Sequence, residues 1–154
     1  MKRRGGFTLI ELLIVVMIIG ILAGMVLLSM GPVLDSVRAR GIQGDLRTVL
    51  SGAVVYFAEN YHFPSQPAQV STYINKNLTN DPKYVGAGVK FMFSTDNVTP
   101  IGIGLVLDET YASSGVQKKL GENAADLGAL SAINTPYVNG DEIYLPLTSD
   151  ANPN

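Results

Sequence analysis

An apolar stretch near the amino terminus decides the fold of this chain, and it opens with Gly5-Gly6-Phe7-Thr8-Leu9-Ile10-Glu11-Leu12. From Phe7 through Met30 the stretch has 24 residues, of which only Glu11 carries a charge. As a helix it would be ~36 Å long, which exceeds the about 30 Å hydrocarbon core of a bilayer. The stretch therefore predicts a membrane-spanning helix over residues 7–31.

The charge of Glu11 needs an explanation of its own. A carboxylate at the centre of a membrane helix costs about 2.5–3.5 kcal/mol on insertion scales. A chain that keeps such a group is expected to pair it with a cation, unless the side chain merely reaches up to the membrane surface.

Three basic residues, Lys2, Arg3 and Arg4, precede the apolar stretch. This order predicts an amino terminus that stays in the cytoplasm. It fits a cleaved secretory signal, a plain membrane anchor or a prepilin leader. The apolar stretch is too long for a secretory signal, and no A-x-A-like site ends it.

The motif from Gly6 to Val16 resembles the amino terminus of type IV pilins and type II secretion pseudopilins. The resemblance rests on the basic leader, the glycine, Phe7, the glutamate four residues later and the long apolar helix, all in register. It implies that residues 1–6 are a leader, which a prepilin peptidase removes between Gly6 and Phe7. It also implies that Phe7 becomes the N-methylated first residue.

Cleavage would place a new amine at Phe7, one helical turn before Glu11. The carboxylate could then pair with the amine of its own chain or with that of an adjacent subunit. The resemblance favours the adjacent subunit in the assembled state, so Phe7 and Glu11 are the expected assembly residues.

A second helical segment is expected over residues 32–62. Gly31-Pro32 predicts a kink or loosened turn near residues 28–31, because proline lacks an N–H and clashes with the preceding turn. Glycines at 41, 44 and 52 are expected to be close-packing points or soft spots. The apolar stripe of an amphipathic helix follows the break; it consists of Ile42, Leu46, Val49, Leu50, Ala53 and Phe57.

Residues 63–154, packed with 32–62, are expected to form one globular head. Alternating apolar residues predict strands over 89–94 and 101–108, joined as an antiparallel hairpin, and a third strand over 142–147. Helices are predicted over 70–78, 113–120 and 124–133. The fold class is therefore α+β and type IV pilin-like, a long amino-terminal helix whose second half carries a small antiparallel sheet.

The composition offers little for catalysis. The chain has no cysteine and a single histidine, His62, which is expected to be structural or solvated. No P-loop, Rossmann fingerprint or nucleophile elbow occurs. No cofactor, catalytic residue or metal ligand is therefore expected, and the chain is not expected to be an enzyme.

Two other kinds of site remain open. The carboxylate pairs Asp108-Glu109 and Asp141-Glu142 could bind Ca²⁺ with carbonyl help. Asn77 and Asn97 stand in the glycosylation tripeptide.

Net charge argues against nucleic acid as the main partner. The chain carries −2, and setting aside Lys2, Arg3 and Arg4 leaves 8 basic against 13 acidic side chains, or −5. An acidic body without a basic stripe does not suit a phosphate backbone.

The sequence therefore predicts a subunit of a type IV pilus-like filament. Its expected partners are copies of itself, a prepilin peptidase, an assembly platform with its motor, and the inner membrane before assembly. The precursor is expected in the cytoplasmic membrane with its head outside, and the product in an extracellular filament. The alternatives are a type II secretion pseudopilin and a minor tip pilin that binds a surface or DNA.

Overall fold

The structure, a computed structural model, describes residues 6–28, 30–75, 78, 81–96 and 98–148. The chain divides into two compact units, Met1–Leu34 and Asp35–Asn154. The elements in chain order are α1 Leu9–Leu28, α2 Met30–Asn60, α3 Pro67–Ser71, β1 Tyr84–Phe93, β2 Pro100–Leu107, α4 Ser114–Glu122, α5 Ala124–Leu127, β3 Leu130–Ala132, β4 Thr135–Pro136 and β5 Glu142–Pro146.

The described part of the first unit is mostly helical, and its side chains are mostly apolar. Its α1 is the predicted apolar helix, and the first residues of α2 complete the unit. The second unit contains the rest of α2 and all of the other elements.

One face of α2 is buried in the core of the head, as the apolar stripe predicted. Ile42, Leu46, Val49 and Ala53 are fully buried there. The prediction that the last residue of the stripe is buried is wrong. Phe57 is 40% exposed and stacks on Phe63 with ring centroids 4.6 Å apart.

Tyr56 is buried in place of Phe57, at 8% exposure. Its position three residues after Ala53 keeps it on the buried face of the helix, since residues three and four apart share a face.

The head sheet has five antiparallel strands in the order β1-β2-β5-β3-β4. The predicted hairpin of β1 and β2 is confirmed, with Phe91 opposite Ile103. In the centre of the sheet Ile103 lies opposite Leu145 of β5. Side chains from these strands and from α2 form one buried core, so the sheet covers the apolar face of α2.

The strand β1 begins at Tyr84, five residues earlier than predicted. Gly86 and Gly88 both have positive φ, at 65° and 73°, and the pairing with β2 is irregular between Tyr84 and Val89. Such a bulge breaks the apolar alternation on which the prediction relied.

Two of the predicted helices are wrong in extent. The segment predicted as a helix over 124–133 is helical only through Leu127, where Gly128 adopts the left-handed conformation at φ 63°. Its last residues form β3 instead. In the segment predicted over 70–78, the described residues are helical only at positions 70 and 71, because α3 begins earlier, at Pro67, and ends at Ser71. Residues 76 and 77 lie outside the described residues.

A polar cluster inside the head fastens the start of β1 to α2. Asp45 is only 8% exposed, and its Oδ2 accepts hydrogen bonds from the Tyr84 hydroxyl at 2.5 Å and from Lys83 Nζ at 2.7 Å. Lys83 also lies 3.2 Å from Asp81. Burial, together with the hydrogen bond to Asp45, raises the pKa of Tyr84, so this hydroxyl stays protonated as the donor.

The Asp45 cluster gives a stability prediction. Asp45→Ala removes the acceptor of the buried Tyr84 hydroxyl and one of the two carboxylates beside Lys83, and leaving a buried donor unsatisfied costs about 1–3 kcal/mol. Urea unfolding of the full chain in detergent, followed by circular dichroism, should show this loss. The matched control is Asp126→Ala at an exposed site, with an expected change within about 0.5 kcal/mol. Equal values for the two variants would contradict a structural role for Asp45.

Candidate assembly site at the amino terminus

The segment just before α1 is open to solvent. Gly6, Phe7 and Thr8 are non-helical and exposed, and a Cβ placed on Gly6 would meet no atom within 4 Å. The predicted cleavage point between Gly6 and Phe7 is therefore accessible. Residues 1–5, the rest of the predicted leader, lie outside the described residues.

Glu11 caps its own helix, a role that the sequence analysis missed. Its Oε2 accepts hydrogen bonds from the Thr8 backbone N–H at 2.8 Å and from the Thr8 hydroxyl at 2.7 Å. In return the Thr8 Oγ1 accepts a hydrogen bond from the Glu11 backbone N–H at 3.3 Å. This reciprocal pattern is a capping box, and the spacing Thr-x-x-Glu before an apolar helix was the signal for it.

The capping box leaves half of the carboxylate available. Both bonds from Thr8 end on Oε2, and among the described residues no donor reaches Oε1. A carboxylate has about four lone-pair sites, so Glu11 can hold its own helix and accept a further donor. The local geometry thus supports a state in which Glu11 is satisfied at one oxygen and open at the other.

The helix α1 is apolar and exposed on every side. Its large side chains are about half to four-fifths exposed, from Val15 at 47% to Leu9 at 85%. The helical stretch Leu9–Asn60 is long and apolar enough to cross a membrane, with a mean hydropathy of 3.0 over its most apolar 18 residues. Apolar surface on this scale marks a site for lipid or for another protein.

Gly31 and Pro32, the predicted helix break, lie within the first turn of α2. Residue 29, which separates α1 from α2, is outside the described residues. The kink near residues 28–31 stays a prediction.

His62 follows the end of α2 and is exposed. Its ring and the ring of Tyr56 form an edge-to-face pair with centroids 5.4 Å apart. This contact fits the structural or solvated role expected for it.

The carboxylates considered for Ca²⁺ have contacts of their own. Asp108 accepts hydrogen bonds from the backbone of Thr110 and Tyr111, so it closes a turn. Glu142 pairs with Lys90, and that hydrogen bond lowers the pKa of Glu142. Among the described residues no three acidic or histidine side chains cluster as metal ligands.

The glycosylation candidates Asn77 and Asn97 both lie outside the described residues.

Comparison with known proteins found a family model and a relative that match parts of this sequence. Residues 1–27 match a family model described as the prokaryotic N-terminal methylation motif. Over 79 residues the chain is 29% identical to the type II secretion system core protein G of Pseudomonas aeruginosa. That alignment covers 51% of this chain and 56% of the relative, so the chain spans about half the length of the curated relative it matches. No solved structure matches the chain.

The capping box can be tested through Thr8. Thr8→Val keeps the shape of the side chain but removes its hydroxyl, and losing an N-cap residue costs about 1 kcal/mol. Amide hydrogen exchange in detergent micelles should then be about fivefold faster for the first turn of α1. The matched control is Thr48→Val, since Thr48 donates to the carbonyl of Gly44 in the middle of a helix. Unchanged exchange in Thr8→Val would show that Glu11 does not depend on Thr8.

Proposed function

We propose that this chain, whose residues 1–27 match the prokaryotic N-terminal methylation motif, is a structural subunit of a type IV pilus-like extracellular filament. One observation carries the proposal. A bare apolar helix holds one carboxylate, Glu11, four residues after an accessible Gly6–Phe7 junction.

The proposed first step is cleavage between Gly6 and Phe7 by a prepilin peptidase on the cytoplasmic side. A glycine before the cut leaves room in a protease cleft and tolerates an unusual backbone conformation. Cleavage creates an amine at Phe7, which is then N-methylated. The amine is the cation that the Glu11 carboxylate lacks.

The proposed second step is pairing between subunits. In a resting subunit Thr8 satisfies Oε2 of Glu11, and the helix remains in the inner membrane with the head outside. When subunits dock, the Phe7 amine of one reaches the Glu11 carboxylate of the next. Opposite charges in apolar surroundings attract strongly, because the local dielectric constant is low. The pair therefore fixes the axial register of each new subunit.

The apolar remainder of α1 makes this transfer feasible. Lipid tails and a filament core of packed helices are both apolar, so moving α1 from one to the other involves little hydrophobic free energy. The polar pair is then the main term that distinguishes a docked subunit from a free one. An assembly platform and its motor are proposed to supply the work of extraction.

The main test uses Glu11→Ala in cells that possess a prepilin peptidase and an assembly machinery. Processing should stay intact, while fibre yield should fall sharply because an arriving subunit no longer neutralises a charge. The matched control, Ile10→Ala, removes an apolar side chain from the neighbouring position. Gly6→Phe, which should remain uncut with its amino terminus at Met1, shows how an unprocessed subunit behaves. Normal fibre yield from Glu11→Ala would refute the pairing.

A second function, that of a secretion pseudopilin, is favoured by the similarity to the type II secretion system core protein G. The short filament of a pseudopilin would act as a piston in the cell envelope. Both functions use the same assembly chemistry and differ in filament length and abundance.

Mechanical shearing distinguishes these functions. A pilus subunit should dominate the fibres sheared from wild-type cells, as judged by electron microscopy and quantitative mass spectrometry. A pseudopilin should be recovered in fibres only when it is overproduced. A minor tip subunit would be scarce in those fibres even though they are plentiful.

A further inference from the structure

The face of α2 opposite the core of the head forms an exposed ridge. Its members recur at spacings of four, three and four residues, which keeps them on one side of a helix. All of them are exposed, and we call this set the outer ridge: Arg40, Gly44, Arg47 and Ser51. Two exposed valines, Val54 and Val55, extend it towards the end of α2.

The two arginines of the outer ridge have no acidic partner in the part of the chain that the structure describes. The ion pairs of the head there involve lysines, whereas the neighbouring Arg38 lies over the ring of Tyr111 at 5.3 Å. Arg40 and Arg47 are about two helical turns apart, and they place two positive charges on a surface whose other residues are small and uncharged.

Gly44 lies between the two arginines, and none of the described residues packs against it. A Cβ placed there would meet no atom within 4 Å, whereas one placed on Gly52 would lie 2.6 Å from Ile74 Cγ2. The expectation of close packing thus holds for Gly52 only. Glycine is unfavourable in a helix interior, so Gly44 suits a contact in which another surface approaches the α2 backbone.

The same head carries exposed acids that could complement the ridge. Glu109 follows β2, and Asp126 lies in the short α5. Neither has an ion-pair partner among the described residues, and neither lies on α2. The head thus presents unpaired acids and unpaired arginines on different elements, as a head-to-tail contact between identical copies requires.

We propose that the outer ridge is a docking surface for the head of a second copy of this chain, in which Glu109 or Asp126 pairs with Arg40 and Arg47. The inference rests on the proposed function, because it adds a head contact to the filament that α1 builds. Positively and negatively charged patches that meet across an interface set its register and reject wrong partners. The ridge therefore fixes the rotation of one head relative to the next.

The test is a charge exchange in the full chain, read as fibre yield. Arg47→Glu should lower the yield at least about tenfold, since a charged contact is replaced by repulsion. Arg47→Glu is then combined with Asp126→Lys or with Glu109→Lys. The double variant that reverses the acid facing Arg47 should recover much of the fibre yield. The matched control, Lys118→Glu, makes the same change of charge at an exposed site on α4 and should leave the yield unaltered.

Adding a side chain at position 44 gives an independent test of the docking surface. Gly44→Leu should raise the resistance of the isolated subunit to unfolding, because leucine is a better helix former, and yet lower fibre yield by blocking close approach. A loss of fibres caused by misfolding would instead show a less stable subunit.

Three results would overturn the inference: normal fibres from Arg47→Glu, a loss that neither acid exchange rescues, and an equal loss from Lys118→Glu. Failure of the proposed function looks different, because wild-type chain would then form no fibres under conditions that allow processing.

Discussion

The apolar helix α1 carries a single carboxylate, Glu11, near its start, and the proposed assembly depends on this constraint. The large side chains of α1 are about half to four-fifths exposed, so the helix needs lipid or neighbouring helices around it. Within either environment the charge of Glu11 must be matched. The capping box with Thr8 satisfies Oε2 locally, and among the described residues no donor reaches Oε1. We propose that the Phe7 amine of another subunit supplies that donor after cleavage.

In the proposed filament subunit the two units have different roles. The first is proposed to exchange lipid for protein contacts along α1, with Phe7 and Glu11 as its proposed assembly residues. The second is a conventional α+β head with its own core, in which Asp45 joins the start of β1 to α2. One face of α2 packs against the sheet, and the opposite face, the outer ridge, is exposed and is the docking surface that we propose for another subunit.

Much of this could be read from the sequence. The apolar stretch predicted α1, and the stripe from Ile42 to Ala53 predicted the buried face of α2, because helical periodicity is a local property. The start of β1 could not be read, since two glycines with positive φ break its alternation. The partners of Asp45 lie nearly forty residues away in the chain, and only the fold brings them together. The capping box has a local signal in the sequence, the spacing of Thr8 and Glu11 before an apolar helix, and the prediction of a cation as the partner of Glu11 left it out.

The proposed pairing of Glu11 with the Phe7 amine of a neighbouring subunit is tested most directly by an electron cryomicroscopy reconstruction of purified filaments at side-chain resolution. It would measure the distance between the Glu11 carboxylate of one subunit and the Phe7 amine nitrogen of its neighbours. If Glu11 and the Phe7 amine pair between subunits, one such pair lies within about 4 Å, as in an ion pair. Separations beyond about 6 Å for every neighbouring pair would contradict it, because charges that far apart would no longer direct docking.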